Sequence, residues 1–145
     1  MSVDVTTEIV IARPVATVAE YAADPSNTPA WYVNITSVEW KTPPPLHVGS
    51  LVAFVAQFMG KQLEYTYQIV DLAPGERLTM TTAQGPFPMT TTYTWTALDD
   101  QTTRMTLRNH GQPSGFSTLV APFMTQAVKR ANRRDLAALK RLLET

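Results

Sequence analysis

The residues of this chain that could do chemistry are few, and Tyr65 and Tyr67 are the most suggestive of them. Alternation along a predicted strand places both phenols on one face, and a buried phenol needs a hydrogen-bond partner that a bound molecule could supply. His110 lies between the last predicted strand and the terminal helix, where an imidazole could act as a general base. These three side chains are the catalytic candidates. An ordinary loop histidine is the alternative for His110, since no carboxylate or nucleophile clusters near it in the sequence.

Other kinds of chemistry lack the residues that they need. The absence of cysteine excludes disulfides and thiolate chemistry, and the two histidines, His47 and His110, are too far apart to suggest a metal site. The chain has no phosphate-binding glycine loop, no Ser-His-Asp order and no paired acids. We therefore expect no metal and no cofactor, and the sequence favours a role other than catalysis without deciding the question.

The residues best placed to bind a ligand are apolar and aromatic side chains on the predicted inner faces of the strands and the terminal helix. Such a lining is apolar and adaptable, with a few hydroxyl groups that could orient a bound molecule. A filled core is the alternative, because aromatic residues at period two are first of all core residues. The predicted ligand-binding residues are Trp31, Phe54, Phe58, Tyr65, Tyr67, Met80, Met89, Tyr93, Trp95, Met105, Phe123, Met124 and Val128.

Alternating strands and one long helix must position these side chains. Val3, Val5, Ile9 and Ile11 define a half-buried first strand, and two short helices follow it. About six further strands come next, separated by glycine, proline and aspartate turns. Residues 117–143 then predict one long helix, whose apolar face the sheet has to cover. The predicted fold class is α+β, with a curved antiparallel sheet of about seven strands around the helix in the order β-α-α-β-β-β-β-β-β-α, enclosing a cavity.

The terminal helix divides into two parts when it is wound at about 100° per residue. The first half, with Phe123, Met124 and Val128, is predicted to face the cavity, and the leucines that follow are predicted to pack in the structural core. Asp135 falls near the apolar side of the helix. A pairing with a basic residue or a contact that caps a neighbouring loop explains it better than catalysis does, because buried carboxylates are usually paired.

Short motifs along the whole chain occur in a recognisable order. They are Ala12-Arg13-Pro14, Trp31, Val48-Gly49-Ser50, Ile69-Val70-Asp71-Leu72-Ala73-Pro74, Thr103-Arg104-Met105-Thr106-Leu107, and Asn132 with Asp135, Leu136, Leu139 and Lys140. Their order resembles the START-domain and polyketide cyclase/dehydrase superfamily, the helix-grip fold also called SRPBCC. The resemblance implies one domain over residues 1–145 with an internal pocket. It names no reaction, because members include lipid and polyketide carriers, cyclases, hydroxylase subunits and co-chaperones.

The function predicted from the sequence is the binding of a small hydrophobic molecule between the sheet and the terminal helix. A lipid, a polyketide or an aromatic metabolite would fit this description, and transport of that ligand is left open. The first alternative is an enzyme that resembles polyketide cyclases or dehydratases and uses the same pocket. The second is a protein-binding module that resembles the co-chaperone branch.

Composition and charge limit the partners and the location that we expect. The chain has 145 residues, 44% of them hydrophobic, and its 12 basic and 12 acidic residues give a formal net charge of zero. No global field therefore draws the protein to nucleic acid. The chain starts with a short acidic segment in which polar and apolar residues alternate, which is unlike a signal peptide. No apolar run has the length of a membrane span. We expect a cytoplasmic protein.

Basic residues gather on one side of the predicted terminal helix. The cluster consists of Lys129, Arg130, Arg133, Arg134, Lys140 and Arg141. A solvated helix face is the ordinary explanation, because cations are favoured toward a helix C-terminus. Weak contact with an anionic membrane or a protein surface is the alternative.

Overall fold

The computed structural model describes residues 3–58, 60–84, 88–111 and 121–145, except the side chains of Phe58, Ala121 and Pro122. Strand β1 (Val3–Ile11) is followed by helix α1 (Val15–Ala23), a 3-10 turn (Pro25–Asn27) and helix α2 (Thr28–Trp31). The strands that follow are β2 (Ile35–Trp40), β3 (Leu51–Phe58), β4 (Lys61–Ala73), β5 (Arg77–Gln84), β6 (Met89–Asp99) and β7 (Thr102–Gly111). Helix α3 (Ala121–Glu144) is the last element.

All seven strands form one antiparallel sheet in the order β1-β7-β6-β5-β4-β3-β2. Strand β1 pairs with β7, so the first and last strands are neighbours, and β2 to β7 follow one another as a meander. The predicted fold class and element order are confirmed. The predicted helix over residues 117–143 is described from Ala121 onward, and residues 112–120 lie outside the described part. Within the described ranges, no helix combines the length and the apolar character needed to cross a membrane.

The two short helices begin and end at residues that the local chemistry favours. Pro14 stands before the first residue of α1 with extended backbone, and Val18, Ala19 and Ala22 bury one side of that helix. Asp24 precedes a proline, which disfavours continued helix. The Asp24 carboxylate accepts a hydrogen bond from the Ser26 backbone N–H at 2.9 Å. The chain thereby turns into α2, and β2 follows three residues after that helix ends.

Alternation along the strands separates an apolar inner face from a threonine-rich outer face. In β6 the inner residues Met89, Thr91, Tyr93 and Trp95 are all buried. The outer threonines of β6 pair with threonines on both neighbouring strands. Cross-strand pairs of this kind stabilise a sheet on its solvent face. The inner face therefore remains available for the core and for a cavity.

Two clusters of buried apolar residues form the core between the sheet and the helices. The large cluster joins most of the sheet to the second half of α3 and includes Ile11, Val18, Trp95, Leu136 and Leu139. A smaller cluster at the other end joins β1 and β6 to the first half of α3, through Val3, Val5, Met89, Met124 and Val128. The space between the two halves contains the candidate site.

Candidate functional site

A cavity of about 130 Å³ lies between the inner face of the sheet and the first half of α3. Strands β3 to β7, the loop after α2 and one side of α3 all contribute to its wall. Most of the lining surface is apolar, and polar side chains interrupt it on α3, near α2 and on strands β6 and β7. The cavity therefore has the character of a small-molecule site, in which a few polar groups orient an apolar ligand.

The structure brings most of the predicted ligand-binding residues together around this cavity. The lining includes Phe54, Tyr65, Tyr67, Met80, Met89, Tyr93, Met124 and Val128. In the sequence, these residues occupy the alternating strand positions that face inward, or the inner side of the terminal helix. That they bind a ligand stays a prediction.

The other predicted binding residues lie elsewhere. Trp31, Trp95 and Met105 are buried in the large core cluster and are not part of the cavity wall. Phe123 is 70% exposed, because it precedes Met124 by one residue and is turned about 100° away from the cavity. The side chain of Phe58 lies outside the described residues.

Two tyrosines form a hydrogen-bonded pair in the wall of the cavity. The hydroxyl oxygens of Tyr32 and Tyr93 are 2.6 Å apart, and the ring of Trp31 packs against both. Burial raises the pKa of Tyr32 well above its ordinary value, and it also raises the pKa of Tyr93. Both phenols are therefore neutral at physiological pH and act as hydrogen-bond donors and acceptors rather than as anions.

Asp135 is a nearly buried carboxyl group on α3, 2% exposed, in the wall of the same cavity. Its Oδ1 accepts a hydrogen bond from the Val33 backbone N–H at 2.8 Å, which ties α3 to the loop after α2. Burial raises the pKa of Asp135 to about 7, against the lowering effects of the Val33 N–H and the Arg134 charge. Of the two structural contacts predicted for Asp135, the structure shows the loop contact. A carboxyl group with this pKa can take up or release a proton near neutral pH.

A chain of hydroxyl and amide groups crosses another part of the cavity wall. The Thr91 hydroxyl donates to Asn109 Oδ1 at 2.6 Å, and Asn109 Nδ2 donates to Asn132 Oδ1 at 3.1 Å. Tyr67 is near the Thr91 end of this chain of groups. Burial raises the pKa of Tyr67, and hydrogen bonding with the Thr91 and Thr82 hydroxyls lowers it in part. Asn132 is 3% exposed, and its Nδ2 has no hydrogen-bond partner among the described residues. A donor left unpaired beside a cavity is a group that a ligand oxygen could satisfy.

Replacing Thr91 with valine is expected to destabilise the protein, because the change keeps the shape and leaves Asn109 Oδ1 without its donor. An unpaired buried polar group costs about 1–3 kcal/mol. Urea denaturation of both proteins measures the loss. Thr92→Val on the outer face of β6 is the matched control and should cost less. Among the described residues, the Thr92 hydroxyl bonds only that of Thr79, at 3.3 Å. Equal losses of stability in the two variants would mean that the Thr91–Asn109 hydrogen bond contributes no more than a threonine pair on the outer face.

Comparisons with known proteins agree with the geometry. The structure superposes on a START superfamily protein from Mycobacterium smegmatis with a TM-score of 0.85, at 12% identity over 97% of each chain. It superposes on the Zhui aromatase/cyclase of Streptomyces sp. R1128 with a TM-score of 0.84, at 18% identity over 99% of this chain and 94% of that one. At these identities the likeness shows the fold alone. No curated protein sequence matches the chain.

The family model that matches residues 2–144 is described as polyketide cyclase/dehydrase and lipid transport. The chain belongs to this family. The match covers nearly the whole sequence, so the resemblance read from scattered motifs is confirmed. For this family member the internal cavity is the expected place for a ligand, and its particular lining decides what can bind there.

His110 occupies a different place in this member of the polyketide cyclase/dehydrase and lipid transport family from the one predicted. It lies within β7, paired with Asp4 of β1 and with Thr90 of β6. Its neighbour Asn109 lines the cavity, so alternation puts His110 on the outer face of the sheet. Its charge helps to lower the pKa of Asp4 there, after the larger effect of Arg108. His110 therefore does not join Tyr65 and Tyr67, which do line the cavity.

Sequence reasoning missed the polar part of the wall in this family member. The added lining residues are Thr28, Tyr32, Asn34, Ile35, Ala56, Leu63, Thr91, Asn109, Ala131, Asn132 and Asp135. Strand alternation was a usable signal for several of them. Ala56 alternates with Phe54 in β3, and Leu63 alternates with Tyr65 in β4. Likewise, Thr91 alternates with Tyr93 in β6, and Asn109 with Leu107 in β7. Tyr32 and Asn34 follow a four-residue helix, where no periodic pattern reports direction.

Proposed function

We propose that the protein binds a small hydrophobic molecule whose aromatic ring occupies the cavity and carries an oxygen substituent. The observation that carries the proposal is the cavity itself, an apolar space of about 130 Å³ lined by neutral phenols. One of its lining residues, Asn132, also has a buried amide N–H without a partner among the described residues. An engineered apolar cavity of about 150 Å³ in another protein binds benzene. By that measure one ring fits here, whereas a whole acyl chain or a multi-ring polyketide would require side chains to move.

The expected affinity follows from the area that such a ring buries. An aromatic ring that loses roughly 150 Å² of accessible surface gains about 4 kcal/mol from burial. The freedom that the ligand loses on binding offsets part of this gain, so the dissociation constant should be about 1 mM or higher. A hydrogen bond from the Asn132 amide to a ligand oxygen adds about 1 kcal/mol. One-ring phenols should therefore bind several-fold more tightly than hydrocarbons of the same shape.

Titrations with toluene and p-cresol test this proposal, because the two molecules differ only by the hydroxyl group. Both should raise the melting temperature, since a ligand that binds only the folded state stabilises it by mass action. The p-cresol dissociation constant, measured by calorimetry, should be the lower of the two. The proposal fails if neither compound shifts the melting temperature at concentrations well above about 1 mM.

Asp135 favours a second candidate function, a cyclase- or dehydratase-like enzyme that uses the same pocket. Ring closure and dehydration both need a proton moved to or from the ligand, and a carboxyl group with a pKa of about 7 is suited to this at neutral pH. Asp135 and Tyr93 line the same cavity, and the pKa of Tyr93 is raised by burial and, to a smaller extent, by the Asp135 charge. One structural neighbour is named an aromatase/cyclase, which supports this class of reaction.

Deuterium exchange into the methyl group of acetophenone separates the enzyme from the simple binder. If Asp135 is a catalytic base, the wild type should exchange the methyl hydrogens faster than buffer does. Asp135→Asn should lose this acceleration. The exchange rate of Tyr67→Phe measures how much the Tyr67 phenol contributes to it. A rate equal to that of buffer, or a rate unchanged by Asp135→Asn, would remove Asp135 as the base.

A further inference from the structure

Helix α3 concentrates the positive charge of a protein that is neutral overall. Residues 121–145 contain six of the 12 basic residues and two of the 12 acidic ones, which leaves a charge of +4. Residues 1–120 contain the other six basic and ten acidic residues, a charge of −4. Such an asymmetry within one chain is typical of a surface that meets an anionic partner.

Three of these arginines and one aromatic residue lie along a single line of the helix. At 100° per residue, Phe123, Arg130, Arg134 and Arg141 fall within about 20° of a common direction. All four are exposed, and Phe123 is 70% exposed. We call these four residues the arginine stripe. With a rise of 1.5 Å per residue it extends for about 27 Å.

The fold itself does not use the arginine stripe. Among the described residues, Arg130, Arg134 and Arg141 make no ion pair, whereas Arg77 and Arg108 on the sheet are both paired with aspartates. The stripe also lies away from the cavity, which α3 lines through Met124, Val128 and other residues on a side turned roughly 120° from it. Burial raises the pKa of Asp135, and the Arg134 charge offsets this only in part; no ion pair joins the two side chains among the described residues.

We propose that the arginine stripe binds an anionic lipid surface, with Phe123 in the interfacial layer and the arginines on the headgroups. Interfacial helices combine cations with an aromatic or aliphatic anchor in this manner, and the attraction of each cation adds to the apolar contact. A single-stranded nucleic acid would require aromatic rings interleaved with the cations, and the stripe has one ring at one end. An acidic protein surface would meet the same charges, so binding to one is an outcome that the test below distinguishes.

Docking of this kind would lay the outer side of α3 on the membrane while its inner side lines the cavity. The inference stands apart from ligand binding in the cavity, because none of the stripe residues lines it. Failure of one proposal therefore leaves the other intact.

Co-sedimentation of the full protein with phosphatidylcholine vesicles, with and without phosphatidylserine, tests the proposal. The wild type should bind only the vesicles that contain phosphatidylserine, and added salt should weaken the binding. Each arginine near an anionic surface contributes about five-fold in affinity, so R130Q/R134Q/R141Q should lose roughly 100-fold. The matched control K41Q/K61Q/R104Q removes the same charge from the sheet and should bind like the wild type.

Three results would overturn the proposal. The first is no binding of phosphatidylserine vesicles by the wild type, and the second is an equal loss in the control triple variant, which would reflect net charge alone. The third is full affinity in Phe123→Ala, since the interfacial anchor would then have no role. Single-stranded DNA and polyglutamate are measured in parallel, and binding to either of them but not to the vesicles also contradicts a lipid partner.

Discussion

Replacing Ala131 with phenylalanine is expected to abolish the binding of one-ring ligands while the protein stays folded. Ala131 is 8% exposed and lines the cavity from α3, one turn after Val128 and one turn before Asp135. A phenylalanine ring at this position occupies the volume that the ligand would take. Overpacking costs about 1–3 kcal/mol in a filled core, and an existing cavity of ring size should absorb most of that cost.

Calorimetric titration with p-cresol provides the measurement, and Ala137→Phe provides the control. Ala137 is a partly buried alanine on the same helix that does not line the cavity. We expect no detectable heat of binding for Ala131→Phe and a normal dissociation constant for Ala137→Phe. If Ala131→Phe bound p-cresol as tightly as the wild type, the ligand would occupy some other place.

Replacing Asp135 with asparagine is expected to remove a large part of the pH dependence of stability. Burial raises the pKa of Asp135 in the folded protein to about 7, from an ordinary value of 3.8. The folded protein then holds the proton more tightly than the unfolded chain does. The wild-type free energy of unfolding therefore falls as the pH rises from about 4 to about 7, by up to about 1.4 kcal/mol per pH unit.

Urea denaturation at several pH values between 4 and 8 gives the free energy of unfolding of the variant and of the wild type. The difference between the two isolates Asp135, because the other titrating groups contribute equally to both proteins. Asparagine keeps an oxygen that can accept the Val33 N–H and has no charge to bury. The free energy of unfolding of Asp135→Asn, relative to that of the wild type, should therefore rise by roughly 3–4 kcal/mol from pH 4 to pH 8. Parallel pH profiles for the two proteins would show that Asp135 titrates normally in the fold.

The fold could be predicted from the sequence because alternation and turn residues define each strand locally. The same alternation tells which face of the sheet a residue occupies, as it did for Tyr65, Tyr67 and Tyr93. It does not tell where along the strand the cavity ends. Trp95 and Met105 also face inward, but they belong to the core cluster that contains Leu136 and Leu139, and they do not line the cavity.

The polar part of the site depends on contacts between residues that are distant in the sequence. Asp135 bonds the backbone of Val33 across 102 positions, and Thr91 bonds Asn109 because the two are directly opposed in β6 and β7. Periodicity places Thr91 and Asn109 on the inner face, but it does not show which residues meet there. The terminal helix shows a similar limit, since one position separates exposed Phe123 from fully buried Met124.

The methionines allow the most direct test of ligand binding in the cavity. Met80, Met89 and Met124 line it, and Met105 is buried in the packed core outside it. In methyl-labelled protein titrated with p-cresol, we predict chemical-shift changes and ligand contacts by nuclear Overhauser effect at the three lining methyl groups, with Met105 unchanged. Contacts at Met105 with none at the lining methionines, or no contact at any of the four, would contradict the account.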